Sequence, residues 1–305
     1  MSAYLILTLS AVFFGGTWVA GEVAVAGLPP MTIASARFII ASALLYGWAR
    51  LQSHESRRIT ARDIPLILTL GASAIAIYNA LFLYGLRLAP ASDGAIIVPG
   101  FAPVFTVLLA WPILRERIGA WTVAGFAVAI AGLYFVIGPG GGEQSSNRLL
   151  GDIFFILGAC CWGIYAVAGK TATSRFTPVT STLYATVAGT LMLIPFGLAE
   201  RGWRALAAAP AVSWAGLLYL GTFGTVLAFV FFYEGVKRIG AGRSSAFAFL
   251  VPVIGVLSSV LLLHERLTAG IGMGGILVLV GLWLVQRDSH THAPAGAHAP
   301  LPHRS

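Results

Sequence analysis

Ionisable side chains are scarce in this chain, and the few that fall inside apolar sequence are where chemistry would have to happen. Arg37 lies six residues into one apolar run and Glu22 lies near the end of the run before it. A charge in such a position is expensive and is by default a functional candidate. Two readings are open for Arg37: an ion pair with Glu22 across the short intervening loop, or capture of a substrate carboxylate. The structural ion pair is favoured, because a buried Arg needs a partner. Glu116 and Glu265 stand beside Arg117 and Arg266 at the ends of apolar runs, where helix capping and interfacial pairing suffice. Uncharged candidates follow from helical spacing. Ala74, Tyr78 and Phe82 recur every four residues with Asn79 alongside, Phe14 and Trp18 do the same, Trp162 and Tyr165 are three apart, and Phe101 sits between Pro99 and Pro103. The hydroxyl, amide and indole groups of Tyr78, Asn79 and Trp162 would be left unsatisfied facing lipid, which points them to the wall of a cavity. The candidate substrate-binding set is Trp18, Tyr78, Asn79, Phe82, Phe101, Trp162 and Tyr165. Pro99, Pro103 and Pro252 each delete a helical hydrogen bond, so they and the Glu22 and Arg37 pair are candidate structural or gating residues.

No enzyme is visible in this set. His54, His264, His290, His292, His298 and His303 all fall in loops, run ends or the C-terminal segment, and no nucleophile stands with a base at a common depth. No cofactor or metal site is expected. Cys160 and Cys161 are adjacent and cannot bridge to build a framework.

The elements that hold these residues are apolar helices. Of 305 residues 58% are hydrophobic and 10% charged, against about 25% charged in a soluble domain. Apolar runs at 4–25, 31–50, 64–86, 94–114, 119–138, 151–170, 178–198, 213–235, 244–263 and 270–286 match the roughly 20 residues that a helix needs to cross a bilayer. They lack the alternation of a membrane β-barrel. The expectation is an all-α integral membrane protein of ten transmembrane helices. The first run has no basic leader and reads as a span, not as a cleaved signal. Residues 287–305, rich in His, Pro and Ala, read as a disordered cytoplasmic tail. With the N-terminus inside, 13 of the 19 Lys and Arg residues fall on the cytoplasmic side and five outside, Arg37 being within a span. That asymmetry sets both termini in the cytoplasm and explains the net charge of +8 without nucleic acid.

The halves repeat. At a shift of 148 residues Gly15 meets Gly163, Val19-Ala20-Gly21 meets Val167-Ala168-Gly169 and Pro30 meets Pro178; Pro103 leads Glu116-Arg117 by thirteen residues, as Pro252 leads Glu265-Arg266. Five helices per copy is an odd number, so the second copy must enter from the opposite side. Residues 1–138 form the first repeat, 139–150 an external linker, and 151–286 the inverted second repeat. The Gly270 and Gly274 spacing reads as helix packing, with a homodimer interface as the alternative to a monomer.

The segments SARFIIASALL from Ser35, LFLYGLRLAPASDGAIIVPGFAPVFTVLLAWPILRERI from Leu81 and FFYEGVKRIGAGRSSAFAFLVPVIGVLSSVLLLHERL from Phe231 resemble the EamA domains of the drug/metabolite transporter superfamily, whose aromatic amino-acid exporters of the YddG type are the nearest comparison. The resemblance implies export of amino acids or other small metabolites across the bacterial inner membrane. It also implies ten helices around a central cavity, lined by the first, third, fourth and sixth spans. No carboxylate falls near mid-span, so facilitated transport without obligatory proton coupling is expected; the alternatives are a proton-coupled drug or metabolite exporter and a passive channel.

Overall fold

The computed structural model describes residues 1–51, 59–114, 119–138, 145–173, 175–239, 244 and 246–291. Glu116, Arg117, residues 139–144 of the linker and the tail beyond residue 291 lie outside them. Among the described residues the chain is helical, and nine helices are long and apolar enough to cross a membrane. These are α1 (Ala3–Gly27), α2 (Pro30–Arg50), α3 (Ala61–Leu86), α4 (Ala91–Ile113), α5 (Ala120–Ile137), α6 (Ser146–Ala172), α7 (Val179–Ala199), α8 (Ala211–Ile239) and α10 (Ala269–Arg287). Between α8 and α10 lies a shorter apolar helix, α9 (Phe247–Leu262). At 1.5 Å per residue it spans about 24 Å, less than a hydrocarbon core of about 30 Å.

The apolar surface is turned outward as well as inward. Leu191, Leu261 and Ile276 are each more than 60% exposed, as lipid-facing side chains must be. Arg287 lies over the rings of Trp121 and Trp283 at 4.6 and 5.6 Å, the amphipathic dress of a membrane–water interface.

Helix packing follows a rule of exchange. The principal contacts are α5 on α10, α2 on α7, α4 on α6 and α9, α1 on α8 and α9, and α3 on α6 and α7. Replacing each helix by the one five places along returns the same set, with α8 on α2 matching α3 on α7. The self-matching pairs run antiparallel. Ser35 Oγ donates to the carbonyl of Leu193, and Ser42 shares a 3.1 Å hydrogen bond with Thr190, its counterpart 148 residues on.

Along α5 and α10 the approach is backbone to backbone. A methyl group added at Gly125 would lie 2.6 Å from the Gly281 carbonyl oxygen, and one added at Gly274 would lie 2.6 Å from that of Gly132. Gly274 is thereby committed to contact within the chain. Without a hydrophobic drive between helices in lipid, such close approach is what holds them.

Of the three proline positions, only Pro252 departs from the expected place inside a helix. α4 continues as one helix through Pro99 and Pro103. Pro252 sits in the first turn of the α-helical segment Leu250–Leu262, behind a tight 3₁₀ turn at Ala246–Phe249. A first-turn residue has no helical partner for its N–H, so Pro252 breaks nothing there. The irregular backbone lies instead in α3 and α8, which carry π-helical turns at Gly71–Ile77 and Thr222–Leu227.

Replacing Gly132 or Gly281 by Val should lower the thermal unfolding midpoint of purified protein, by an overpacking cost of about 1–3 kcal/mol. Gly272→Ala, with nothing within 4 Å, should leave it unchanged.

Candidate functional site

A π-helical turn widens the hydrogen-bond ladder and leaves carbonyls in need of donors. In α3 the side chain of Asn79 supplies them, its Nδ2 donating at 3.0 Å to the carbonyls of Ala74 and Ile75. In α8 Thr225 Oγ1 donates at 2.8 Å to the carbonyl of Leu220. With its amide hydrogens or hydroxyl hydrogen so engaged, each side chain has only oxygen lone pairs left to offer. Arg37 uses both. Its Nη1 donates to Asn79 Oδ1 at 2.9 Å, while Nε and Nη2 donate to Thr225 Oγ1 at 3.1 Å. The guanidinium also lies 4.9 Å from the ring centre of Phe38.

Arg37 does not pair with Glu22, which corrects the expected ion pair. Glu22 turns away to accept from the backbone N–H of Ala91 at 3.0 Å. Glu265 accepts from the same N–H and from that of Ser92, at 2.9 and 3.1 Å. The two carboxyl groups thus cap the N-terminus of α4, where four orphan donors and the positive end of the helix dipole attract acids. Arg148 lies beside them in the first turn of α6, forked onto the fully buried Asp93 at 2.7 and 3.1 Å. One turn along α6 is the buried Asp152, near enough to Asp93 for the two carboxyl groups to repel. Glu200 caps α2 in the same manner, accepting from the N–H of Thr32 at 2.8 Å. All of this closes the end of the molecule where α1 joins α2.

Between that end and its opposite lies a cavity of about 80 Å³. Phe14 and Thr17 of α1, Arg37 of α2, Tyr78, Asn79 and Phe82 of α3, Trp162 and Tyr165 of α6, Thr182 and Thr186 of α7, and Thr225 and Phe229 of α8 line it. Five of the seven expected substrate-binding residues therefore meet: Tyr78, Asn79, Phe82, Trp162 and Tyr165. Their rings are in sequence contact across the void, with Tyr78 to Trp162 and Trp162 to Tyr165 both at 5.5 Å between centres and Tyr78 stacked 6.0 Å from Phe82.

Trp18 and Phe101 do not line the cavity. Trp18 is 3% exposed and packs edge-on against Phe82 and Phe155, closing the space over Gly94 and Gly255. Phe101 is buried with Ala102, Val104 and Ala159 against the back of Trp162. No α4 residue reaches the lining. The sequence reading in turn passed over Thr182, Thr186, Thr225 and Phe229. A hydroxyl in a transmembrane helix can bond its own backbone, so its type alone does not mark it out.

A second void of about 230 Å³ lies towards the opposite end, bounded by Leu70, Tyr165, Ala166, Gly169, Lys170, Ser181 and Tyr233. Tyr165 is the wall common to both voids, and Tyr233 and Thr182 border it on either side. Among the described residues, Arg37 is the one formal charge in the lining of the central cavity.

A buried, aromatic cavity between helices drawn from both halves of a polytopic chain suits passage of a solute, and the sequence comparisons agree. Residues 1–138 and 149–287 each match the EamA-like transporter family. The chain belongs to that family. An EamA relative from Archaeoglobus fulgidus, named an uncharacterized transporter, is 30% identical over 94% of this chain and 99% of its own. A probable terminal-alkyne amino-acid exporter of Streptantibioticus cattleyicolor is 32% identical over 76% of each chain. YyaM of Bacillus subtilis, an uncharacterized transporter, is 28% identical over 92% of each. A solved crystal structure shares the fold, with a TM-score of 0.62 at 19% identity over 93% of this chain and 98% of its own. This EamA protein is accordingly a multi-pass membrane transporter, and its relatives are named transporters and not enzymes.

Breaking the Arg148–Asp93 pair from one side should be costly, because it strands a buried charge. Arg148→Met is expected to lower stability by about 3–5 kcal/mol. The double variant Arg148→Met/Asp93→Asn should recover part of that loss when unfolding in detergent is followed by circular dichroism.

Proposed function

We propose that this EamA protein is a bacterial inner-membrane carrier that exports amino acids, large neutral and aromatic ones best, by alternating access of the central cavity. The aromatic cavity carries this reading. Stacked and edge-on rings offer a solute apolar area and contacts of about 1 kcal/mol per ring pair, which favours phenylalanine-sized side chains over small polar ones. The S. cattleyicolor relative named as an amino-acid exporter supports the same class of solute. In the conformation described, the cavity of about 80 Å³ is well below the roughly 300 Å³ at which small-molecule sites begin. Substrate must therefore widen it, and the void behind Tyr165 and Tyr233 is the side from which it opens.

Two inverted five-helix repeats, residues 1–138 and 151–286, supply the motion. Supporting this are the antiparallel seams between α2 and α7 and between α5 and α10, and the contact set that survives exchange of the halves. Two such arrangements of one contact set lie close in energy, which is what alternating access needs. The bias of Lys and Arg puts both termini in the cytoplasm, so the acid-capped end faces outward and the second void faces in. Among the described residues, no carboxylate lines the cavity. Transport is accordingly downhill and does not require protons. The chain acts as a monomer on a small-molecule substrate, without nucleic acid, metal or cofactor.

Three measurements test this. In proteoliposomes, Tyr78→Ala and Trp162→Ala should each reduce phenylalanine counterflow severalfold more than alanine counterflow; equal losses would refute the cavity assignment, and absence of counterflow would mark a channel. A pH gradient alone should drive no phenylalanine accumulation. With Cys160 and Cys161 changed to Ser, an impermeant thiol reagent on intact cells should label Ser145→Cys and spare Ser56→Cys.

A further inference from the structure

Arg37 is 7% exposed and sits among apolar side chains, yet no carboxylate of the described residues lies within ion-pair distance of it. Its nearest acid in sequence, Glu22, is spent on α4. A guanidinium carries five N–H donors. Three are given to Asn79 and Thr225, which leaves one on each Nη without an acceptor. Those two belong to a side chain that lines the central cavity.

A second, independent observation lies on the facing helix. Thr186 of α7 lines the same cavity, is fully buried, and its Oγ1 has no hydrogen-bond partner. A buried hydroxyl without a partner carries a desolvation cost that a bound group would relieve. The cavity thus offers two free guanidinium N–H groups, one free hydroxyl and a full positive charge without counter-ion. Burying such a charge costs several kcal/mol unless an anion arrives. The complementary group is a planar anion with two acceptor oxygens, which a guanidinium meets with both Nη donors.

The arrangement is also single. The position equivalent to Arg37 in the second half is Ala185, which lines the cavity too but offers only a methyl group. One cation matches one anionic group. A second carboxylate would have no partner, and a solute with an ammonium and no carboxylate would meet repulsion from Arg37 in a medium of low dielectric constant.

We infer that Arg37, with Thr186, is the carboxylate-binding element of the cavity, so that the protein selects monocarboxylates and reads the ammonium group of an amino acid weakly or not at all. This rests on the cavity being the transport site and sharpens what it takes. The Asn79 and Thr225 contacts hold the guanidinium in place on both halves of the molecule, while the substrate carboxylate supplies the counter-charge. Arg37 is then both a brace and a ligand.

The test compares molecules that differ only in the charged group. Purified full-length protein in detergent is titrated with 3-phenylpropionate, phenylalanine and phenethylamine, and its thermal unfolding midpoint is followed. Stabilisation is expected from 3-phenylpropionate and phenylalanine, with phenethylamine at least tenfold weaker in half-maximal concentration. Arg37→Lys should weaken the carboxylate response, since an ammonium keeps the charge but loses the fork, and Arg37→Gln should abolish it. Should Arg37→Gln not fold, the wild-type series decides alone. Phenethylamine within threefold of 3-phenylpropionate, an unchanged response in folded Arg37→Gln, or no stabilisation by either carboxylate would each overturn the inference. Stabilisation by 3-phenylpropionate without any transport of phenylalanine would keep the carboxylate site and reject the amino-acid reading.

Discussion

A guanidinium held inside the bilayer by oxygens that carry no charge is the constraint around which the middle of this protein is arranged. Arg37 can stay there because Asn79 Oδ1 and Thr225 Oγ1 both face it. Those oxygens are free to accept because the hydrogens of the same side chains are occupied by carbonyls of the two π-helical turns. The turns persist in turn because those carbonyls are satisfied. In lipid an unsatisfied backbone group costs several kcal/mol, so no part of this chain of dependence is stable alone. A bond to a charged group contributes about 1.5–3 kcal/mol, and here such bonds join α2 to a helix of its own half and to one of the other half.

The rest of the fold separates what must stay from what can yield. The glycine seam between α5 and α10 is backbone on backbone and borders neither void, so it is a fixed spine. At the α1–α2 end, helix N-termini are capped by carboxyl groups from other helices and closed by the Arg148–Asp93 fork, which makes that end stiff and specific. Towards the other end Arg175 pairs with the fully buried Asp63 at 3.0 Å, while the second void is bounded mostly by rings, hydroxyls and small side chains, with Tyr165 as a partition. Contacts of that kind exchange partners at low cost, while the buried ion pair and caps are lost or kept as a unit.

Much of this was legible in the residues. Nine of the ten apolar runs correspond to helices long enough to cross a membrane and the run at 244–263 to the shorter α9, and five aromatic or amide positions chosen from helical spacing and polarity meet at one cavity. The failures share a cause. Spacing gives a residue's depth and which neighbours share its face, but not which way the face points once the helix is packed. Trp18 and Phe101 were at suitable depth on the wrong azimuth. Glu22 was at suitable depth for Arg37, but the unsatisfied N-terminus of α4 claimed it. Pro99 and Pro103 fall inside α4, where each removes a bond, but Pro252 falls in a first turn that had none to lose. The π-helical turns have no signature in residue type at all, since Asn79 and Thr225 acquire their meaning only from each other's distance to Arg37. Glu116 and Arg117, the other half of the duplicated motif, lie outside the described residues.

Arg37 also sets a schedule for synthesis. Its partners arrive late: Asn79 follows 42 residues behind it and Thr225 follows 188 behind. At ribosomal rates of about 5–20 residues per second, Thr225 is made roughly 10 to 40 s after Arg37. Throughout that interval a nascent chain holding α2 in the membrane carries a cation with at best half its ligands. Placing Arg at a helix centre costs about 2.5–3.5 kcal/mol on the insertion scale, enough to keep α2 near the translocation machinery or against water. The first five helices are then a half-assembled body waiting for the eighth, and a chain truncated before α8 holds Arg37 without its Thr225 contacts.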